Sequence, residues 1–263
     1  MTFDTNRKTG RAVGIIPARY GSSRLHAKPL IDLCGKPMLQ HVYERARKAS
    51  LLDRVVVATD HEQIAEAVRN FGGECIMTDS GIRSGSDRVA CVAGKLTGAD
   101  IIVNIQGDEP LISPEMIDGA VRPMLEDSSL QVVTPVRVIT STEELQYPGT
   151  VKVVLDRDGY ALYFSRSVIP FARDGNAGDN GQLPVTYYKH IGLYVFAREV
   201  LMQFSSWQES ILERVEKLEQ LRLLENGCRI KTVVTSFDSM PVDTAEDADR
   251  VRAIMRQTGE SAA

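Results

Sequence analysis

Residues 12–29 read AVGIIPARYGSSRLHAKP. Ala12 to Ile16 is an unbroken apolar run ending at Pro17, the pattern of a strand buried on both faces. The loop that follows leaves the strand at its carboxyl end, where ligands bind in open α/β sheets. It mixes small residues, Gly21, Ser22 and Ser23, with three cations, Arg19, Arg24 and Lys28. Small residues let backbone N–H groups approach an anion, and cations neutralise it, so the loop suits a phosphate. It matches neither G-x-G-x-x-G nor G-x-x-x-x-G-K-[ST], which argues against a dinucleotide fingerprint and a Walker site. The bland alternative is a solvated basic loop.

Outward from this loop, strand and helix patterns alternate. Met38, Val42, Ala46 and Ala49 keep helical spacing behind Pro37, a favourable first-turn residue. Arg54–Thr59 reads as a second strand, and Ile64 to Phe71 as a helix closed by Gly72 and Gly73. Glu74–Met77 is a short strand, Val89–Leu96 a helix, and Asp100–Ile105 a fourth strand. This rhythm predicts an α/β fold with a doubly wound, mostly parallel sheet over residues 12–136. After Pro148 the rhythm turns β-rich. Val151–Leu155 and Tyr160–Phe164 flank Asp156–Gly159 as a hairpin, and Tyr187–Phe196 reads as a further strand. Residues 211–225 predict one long helix with Ile211, Leu212, Val215, Leu218 and Leu221–Leu224 on its apolar face. Ile230–Val234 is a strand and Ala245–Met255 a closing helix. Residues 174–181 (DGNAGDNG) are a loop by composition. The expected organisation is one domain over residues 12–255, with a β-rich part at about 148–227 and flexible tails at 1–11 and 256–263.

The chain has 263 residues, with 31 Lys and Arg against 35 Asp and Glu, a net charge of −4. That balance argues against a protein that coats nucleic acid, which carries a basic excess. The four cysteines form no C-x-x-C pair, so no zinc ribbon or dithiol site is indicated, and they read as small buried groups in a reducing compartment. A polar N-terminus indicates no signal peptide, and no apolar run approaches the ~18 residues of a membrane helix. The expectation is a soluble cytoplasmic protein without membrane insertion.

Four charged motifs stand at predicted strand ends or helix starts. Asp108, in IQGDEP at 105–110, follows a buried strand behind Gly107, a good place for a carboxylate that holds Mg²⁺ or for a turn-forming Asp. Asp243 precedes the last helix, where it reads equally as an N-cap with Glu246 completing a capping box. Ser84-Gly-Ser-Asp-Arg88 enters a helix and suits recognition of a base edge, or an ordinary cap by Ser86. Arg166 follows a strand and suits bidentate grip of a carboxylate, or a surface position. His190 alone in a strand reads as a packed core group, and Glu213, Glu216 and Glu219 as a solvated helix face.

Together these segments resemble the 3-deoxy-manno-octulosonate (Kdo) cytidylyltransferase family from about residue 12 to about residue 255. The carriers are IPARYGSSRL at 16–25 with KPL at 28–30, GKPM at 35–38, VATDH at 57–61 and SGSDR at 84–88. They continue with VNIQGDEP at 103–110, VKVVL at 151–155, YALYFSR at 160–166, HIGLY at 190–194, LEQLR at 218–222 and VDT at 242–244.

The resemblance implies a Rossmann-like nucleotidyltransferase fold and a homodimer built by second-half strands and helix. It implies transfer of CMP from CTP to the anomeric hydroxyl of Kdo with Mg²⁺, giving CMP-Kdo for lipopolysaccharide and pyrophosphate. By position, Ala18, Arg19, Ser22 and Lys28 fall on the triphosphate side, and Ser84, Arg88 and Gln106 near the nucleotide. Asp108 and Asp243 match the metal carboxylates. Gln106, Arg166, His190, Tyr194 and Glu213 match the sugar pocket, with Arg166 opposite the sugar carboxylate. Arg19, Lys28, Asp108 and Asp243 form the expected catalytic group. His26-Ala27 stands where the family commonly has Pro-Gly, and residues 207–213 lack its usual prolines. The rival substrates are other 2-keto sugar acids, 8-amino-Kdo or neuraminic acid. A non-catalytic nucleotide-binding module is a different class, and the paired Asp108 and Asp243 argue against it.

Overall fold

The computed structural model describes residues 10–21, 25–82, 84–173, 183 and 185–259. Expectations for Ser22, Ser23 and Arg24, for the 174–181 loop, and for the chain ends at 1–9 and 260–263 lie outside the described residues.

The first strand, β1 (Ala12–Ala18), shows why the opening run is apolar without a break. Successive side chains of a strand point to opposite faces. Ala12, Ile16 and Ala18 enter one core, while Val13 and Ile15 enter the other. A single 3₁₀ turn at Lys28–Leu30 then leads to a hairpin of β2 (Asp32–Leu33) and β3 (Lys36–Pro37), and to α1 (Met38–Ala46). Cys34 and Gly35 turn this hairpin with φ of 53° and 89°, as a two-residue turn with both centres at positive φ requires.

Next come β4 (Arg54–Thr59), α2 (Glu62–Asn70), β5 (Cys75–Met77), α3 (Gly85–Lys95) and β6 (Ile101–Asn104). They complete a parallel block in the order β5-β4-β1-β6. Helix α4 (Pro114–Glu126) returns to β7 (Val132–Val138), and α5 (Thr142–Gln146) follows. The second half supplies β8 (Lys152–Leu155), β9 (Ala161–Ser165), β10 (Tyr188–His190) and β11 (Tyr194–Ala197). Strand β11 lies antiparallel between β6 and β7, so β7 runs in the direction of the parallel block. Helices α6 (Arg198–Ser206), α7 (Ile211–Glu216) and α8 (Gln220–Glu225), then β12 (Ile230–Val234) and α9 (Ala245–Gln257), end the chain. Strand β12 pairs with β7 in parallel. One sheet of ten strands therefore runs through both halves.

Helices cover both faces. Leu39 and Val42 of α1, Ile64 of α2 and Ile117 of α4 pack on one face. Val89 of α3, Leu201 of α6 and Leu221 of α8 pack on the other. A smaller cluster joins Val242 and the α9 residues Ala248, Val251 and Met255 to Leu33 and Met38. It fixes the start of α9 beside the loop that follows β1.

Two expected elements are divided. The strand expected at 187–196 is split, because five steps from His190 to Val195 face only three steps of β7, from Val136 to Val133. The Thr134 hydroxyl sits against the Ile191 and Leu193 carbonyls at this irregularity, at 3.3 and 2.8 Å. The helix expected at 211–225 breaks at Lys217, which has φ 56°. The break leaves Ile211 and Val215 exposed and sends Leu218, Leu221 and Leu223 into the core, so the continuous apolar face does not exist. The closing helix reaches Gln257, two residues past its expected end.

Candidate active site

A cleft of about 740 Å³ opens at the carboxyl ends of β1 and β6 and is closed on the far side by residues 205–222. Its volume lies in the ordinary range for small-molecule sites. Pro17, Ala18 and Arg19 line it from the first loop, and Gln106, Gly107 and Asp108 from the loop after β6. Gly107 lets the two loops meet. A Cβ there would stand 2.8 Å from the Pro17 carbonyl oxygen, closer than a side chain tolerates.

At the cleft's centre the Lys28 ammonium donates to Asp108 Oδ2 at 2.6 Å and to Asp243 Oδ1 at 2.8 Å. These three residues are 80 and 215 positions apart in the chain relative to Lys28, and backbone geometry makes them converge. The Val242 amide donates to the Asp108 carbonyl at 2.9 Å, which sets the two aspartates side by side. Thr244, not Asp243, caps α9: its hydroxyl accepts from the Asp247 amide, and the Asp247 carboxylate takes the Asp243 and Thr244 amides. The expected cap by Asp243 and Glu246 is thus displaced by one residue, which leaves the Asp243 side chain in the cleft. Burial alone would lower the Lys28 pKa, but the two carboxylates outweigh it and hold the ammonium above its ordinary value. Arg19 stands exposed on the same wall.

On the next wall Ser84 caps α3, its hydroxyl accepting from the Asp87 amide at 3.0 Å. The cap is Ser84, so the alternative of a cap by Ser86 does not hold. Arg88 lines the cleft, but its buried guanidinium is already engaged. It pairs with Asp60 at 2.9 Å and also bonds the Thr78 hydroxyl and the Ile82 carbonyl. Asp60 receives the Tyr20 amide at 3.3 Å, so Arg88 and the first loop share one anchor. The Tyr20 ring stacks on His61 at 3.7 Å and meets His26 edge-on at 5.0 Å. His26, the departure from the family pattern, thereby supports the loop through ring contact.

The far wall overturns the solvated reading of its glutamates. Glu213 is buried, and its two oxygens bind Arg222 Nε and Nη2 at 2.7 and 2.5 Å. It also closes a capping box with Ser210. The Arg222 guanidinium lies 4.4 Å from the Phe204 ring centre. Glu216 accepts from the Ser165 hydroxyl at 2.6 Å and the Arg166 amide at 3.0 Å. Glu219 accepts from the Ser86 hydroxyl at 2.6 Å. Asn104 and Gln106 extend this chain, from Gln106 Nε2 to Asn104 Oδ1 and from Asn104 Nδ2 to Ser86 Oγ, each at 3.4 Å. Burial raises the Glu219 pKa above the usual carboxylate value. The break at Lys217 is what turns Glu219 inward.

Among the expected sugar-side residues, Gln106 and Glu213 line the cleft, whereas Arg166, His190 and Tyr194 do not. Arg166 donates to the Glu216 and Pro148 carbonyls at 2.9 and 3.2 Å, so here its guanidinium holds backbone. His190 bonds the Thr134 hydroxyl at 3.0 Å between the rings of Phe164 and Tyr194. Burial pushes its pKa down to about 3, which makes it a neutral packed group at pH 7. The buried Tyr194 hydroxyl has no hydrogen-bond partner among the described residues. Burial, then Glu219, pushes this phenol well above its ordinary pKa. Glu219, Trp207 and Lys217 line the cleft without having been expected there. The only sequence signal for Glu219 is its place in LEQLR, which periodicity reads as helix surface.

A family model described as Cytidylyltransferase matches residues 13–231. A protein of Pelobacter propionicus called 3-deoxy-manno-octulosonate cytidylyltransferase is 52% identical over 92% of this chain and 96% of its own length. The chain belongs to the 3-deoxy-manno-octulosonate cytidylyltransferase family. A protein of the same name from Geotalea daltonii is 51% identical over 95% of this chain and 100% of its own. A solved structure described as CMP:2-keto-3-deoxy-manno-octonic acid synthetase complexed with CTP shares 44% identity, with a TM-score of 0.88, over 95% of this chain and 100% of that one. A 4-diphosphocytidyl-2C-methyl-D-erythritol synthase from Anaerococcus prevotii aligns at 14% identity and a TM-score of 0.63, over 95% of this chain and 100% of that one, a likeness of fold. The 3-deoxy-manno-octulosonate cytidylyltransferase family is one of nucleotidyltransferases, in accord with the resemblance drawn from residues 12–255 and with the α/β sheet.

Proposed function

We propose that this protein transfers CMP from CTP to the anomeric hydroxyl of 3-deoxy-D-manno-octulosonate, releasing pyrophosphate. The observation that carries the reading is the meeting of Lys28, Asp108 and Asp243 at the mouth of β1 and β6. The names of the relatives supply the nucleotide and the sugar acid, and favour Kdo over 8-amino-Kdo or neuraminic acid.

In the reaction the C2 hydroxyl oxygen of Kdo bonds the α-phosphorus, the bond to pyrophosphate breaks in line, and the hydroxyl proton passes to water. Such chemistry asks the protein for positioning and charge, with no covalent nucleophile. Arg19 and Lys28 are assigned to the phosphate oxygens, beside the backbone of Ala18. Ser84 and the α3 start, held by the Arg88–Asp60 pair, line the cleft and are assigned to the nucleotide. Gln106 and Glu219, the cleft-lining ends of the chain that runs through Asn104 and Ser86, are assigned to sugar hydroxyls.

Asp108 and Asp243 converge as two hard oxygen donors, a set that fits Mg²⁺ bound by one or two carboxylates together with substrate phosphates. Bound there, Mg²⁺ would supply charge neutralisation at the phosphates. Among the described residues no group of three or more His, Cys, Asp or Glu is arranged to hold a metal without substrate.

A homodimer and a cytoplasmic location belong to the same reading. The β9 strand ends the sheet path with Leu162 exposed, and Tyr147, Phe171, Ile211 and Val215 are exposed in the same half. Among the described residues no helix is long and apolar enough to cross a membrane.

The test is pyrophosphate release with CTP and Mg²⁺, run in parallel with Kdo, 8-amino-Kdo and neuraminic acid. Release with Kdo is expected. Preference for another acid would move the substrate, and silence with all three despite CTP binding would overturn the reading.

A further inference from the structure

The Lys28 ammonium stands where a cation shared by Asp108 and Asp243 would stand, 2.6 and 2.8 Å from their oxygens. We infer that Lys28 is an internal counter-ion of this acidic pair, and that a divalent cation gains the pair only by displacing it. The inference rests on the assignment of Asp108 and Asp243 as metal carboxylates under Proposed function.

A monovalent and a divalent cation cannot share one position, because like charges in contact repel. Lys28 and the metal therefore compete, and linkage requires that each weaken the other's hold by the same factor. Lys28 starts with the advantage of being tethered. Its Cα belongs to the 3₁₀ turn packed under α1, and its side chain is only 14% exposed. Two carboxylates suit a divalent cation, and Lys28 occupies the position between them.

An incoming triphosphate changes this balance. It gives the ammonium a second anionic partner within the same cleft, beside Arg19, at the end of a flexible four-carbon stem. Once Lys28 moves onto phosphate, the position between the carboxylates opens to the cation. Nucleotide and metal then load together, and metal alone binds poorly. The same lysine serves in turn as guard of the acidic pair and as phosphate ligand.

The test measures Mn²⁺ binding without nucleotide, by the electron paramagnetic resonance signal of free Mn²⁺. Wild type, Lys28→Met, Lys28→Gln, Lys28→Arg and the double variant Lys28→Met/Asp243→Asn are compared. Lys28→Met and Lys28→Gln should bind Mn²⁺ about tenfold or more tightly than wild type, within the usual range of coupling between sites. Lys28→Arg keeps the cation and should stay as weak as wild type. The double variant should lose the gain. Equal affinity in wild type and both neutral variants overturns the inference, as does binding to none of them. A gain that survives Asp243→Asn also overturns it, since the ion then binds elsewhere. Using both Met and Gln guards against a variant that does not fold, which circular dichroism reveals. The outcome separates from that of the catalytic reading. Pyrophosphate release by wild type with CTP, Mg²⁺ and Kdo tests the reaction, and metal binding alone tests the exchange.

Discussion

The two walls of the cleft use charged side chains in opposite ways. On the wall from β1 and β6, Lys28, Asp108 and Asp243 bind one another through a cluster that opens to the cleft, with 14%, 31% and 36% of their side chains exposed. On the wall from residues 205–222, Glu213 and Arg222 are 7% and 8% exposed and hold each other on three elements' behalf. Arg222 also donates to the Phe204 and Trp207 carbonyls, tying α6 to α8. A salt bridge that solvent and substrate can reach exchanges partners; one sealed in the core maintains a shape. Catalysis is expected from the Lys28–Asp108–Asp243 cluster and form from the Glu213–Arg222 pair.

The sharpest break of that comparison is Asp108→Ala. Removing a group that acts on developing charge costs about 10³-fold in rate, with little effect on folding. Pyrophosphate release and thermal unfolding, measured on one preparation, check both halves of this expectation. Near-normal turnover would remove Asp108 from the chemistry. A collapse of stability would place it with the second wall.

Arg222→Ala should do the reverse. It strands the buried Glu213 carboxylate, and breaking a buried pair on one side costs about 3–5 kcal/mol. The unfolding midpoint in urea should fall accordingly. Activity should fall only as the folded fraction falls. Loss of turnover in a protein as stable as wild type would show that the Glu213–Arg222 pair itself takes part in the reaction, and the comparison would fail.

The sequence discloses the first wall far better than the second. Residues 12–16 announce a strand, and the apolar run explains itself once alternate residues are seen to feed two cores. Arg19, Lys28 and Asp108 follow strand ends, so their place at one edge of the sheet is legible from topology. Asp243 is legible only as a residue before a helix. Its release into the cleft depends on Thr244 taking the cap, a shift of one residue that propensity does not resolve. On the second wall, periodicity predicts one amphipathic helix over 211–225, but the chain turns at Lys217. That turn depends on distant partners, Ser86 for Glu219 and Ser165 for Glu216, which no local pattern contains. Arg166 illustrates the same limit. Its position after a strand is readable, whereas its capture by the Glu216 and Pro148 carbonyls is a product of that turn.

The smallest expected effect extends the comparison behind the second wall, to His190. Its pKa lies at about 3 in the folded chain because burial opposes the imidazolium. An unfolded chain restores the ordinary value near 6.5. Between these limits the unfolded state binds the extra proton, so stability rises with pH through this window and is lost on acidification from neutrality. Glu109 works against it. Burial raises that carboxyl to about 7, so below neutrality the folded state binds the extra proton, and acidification toward its ordinary value stabilises the fold. The two trends overlap, which makes the wild-type curve alone a poor witness. The difference between wild type and His190→Gln isolates one of them, since Gln keeps a polar group toward Thr134 and cannot take up a proton. Urea midpoints measured from pH 7 to pH 4 should decline less in the variant than in wild type. Parallel curves would mean that His190 reaches solvent, or a charged partner, and that the packed layer behind the cleft is open to protons.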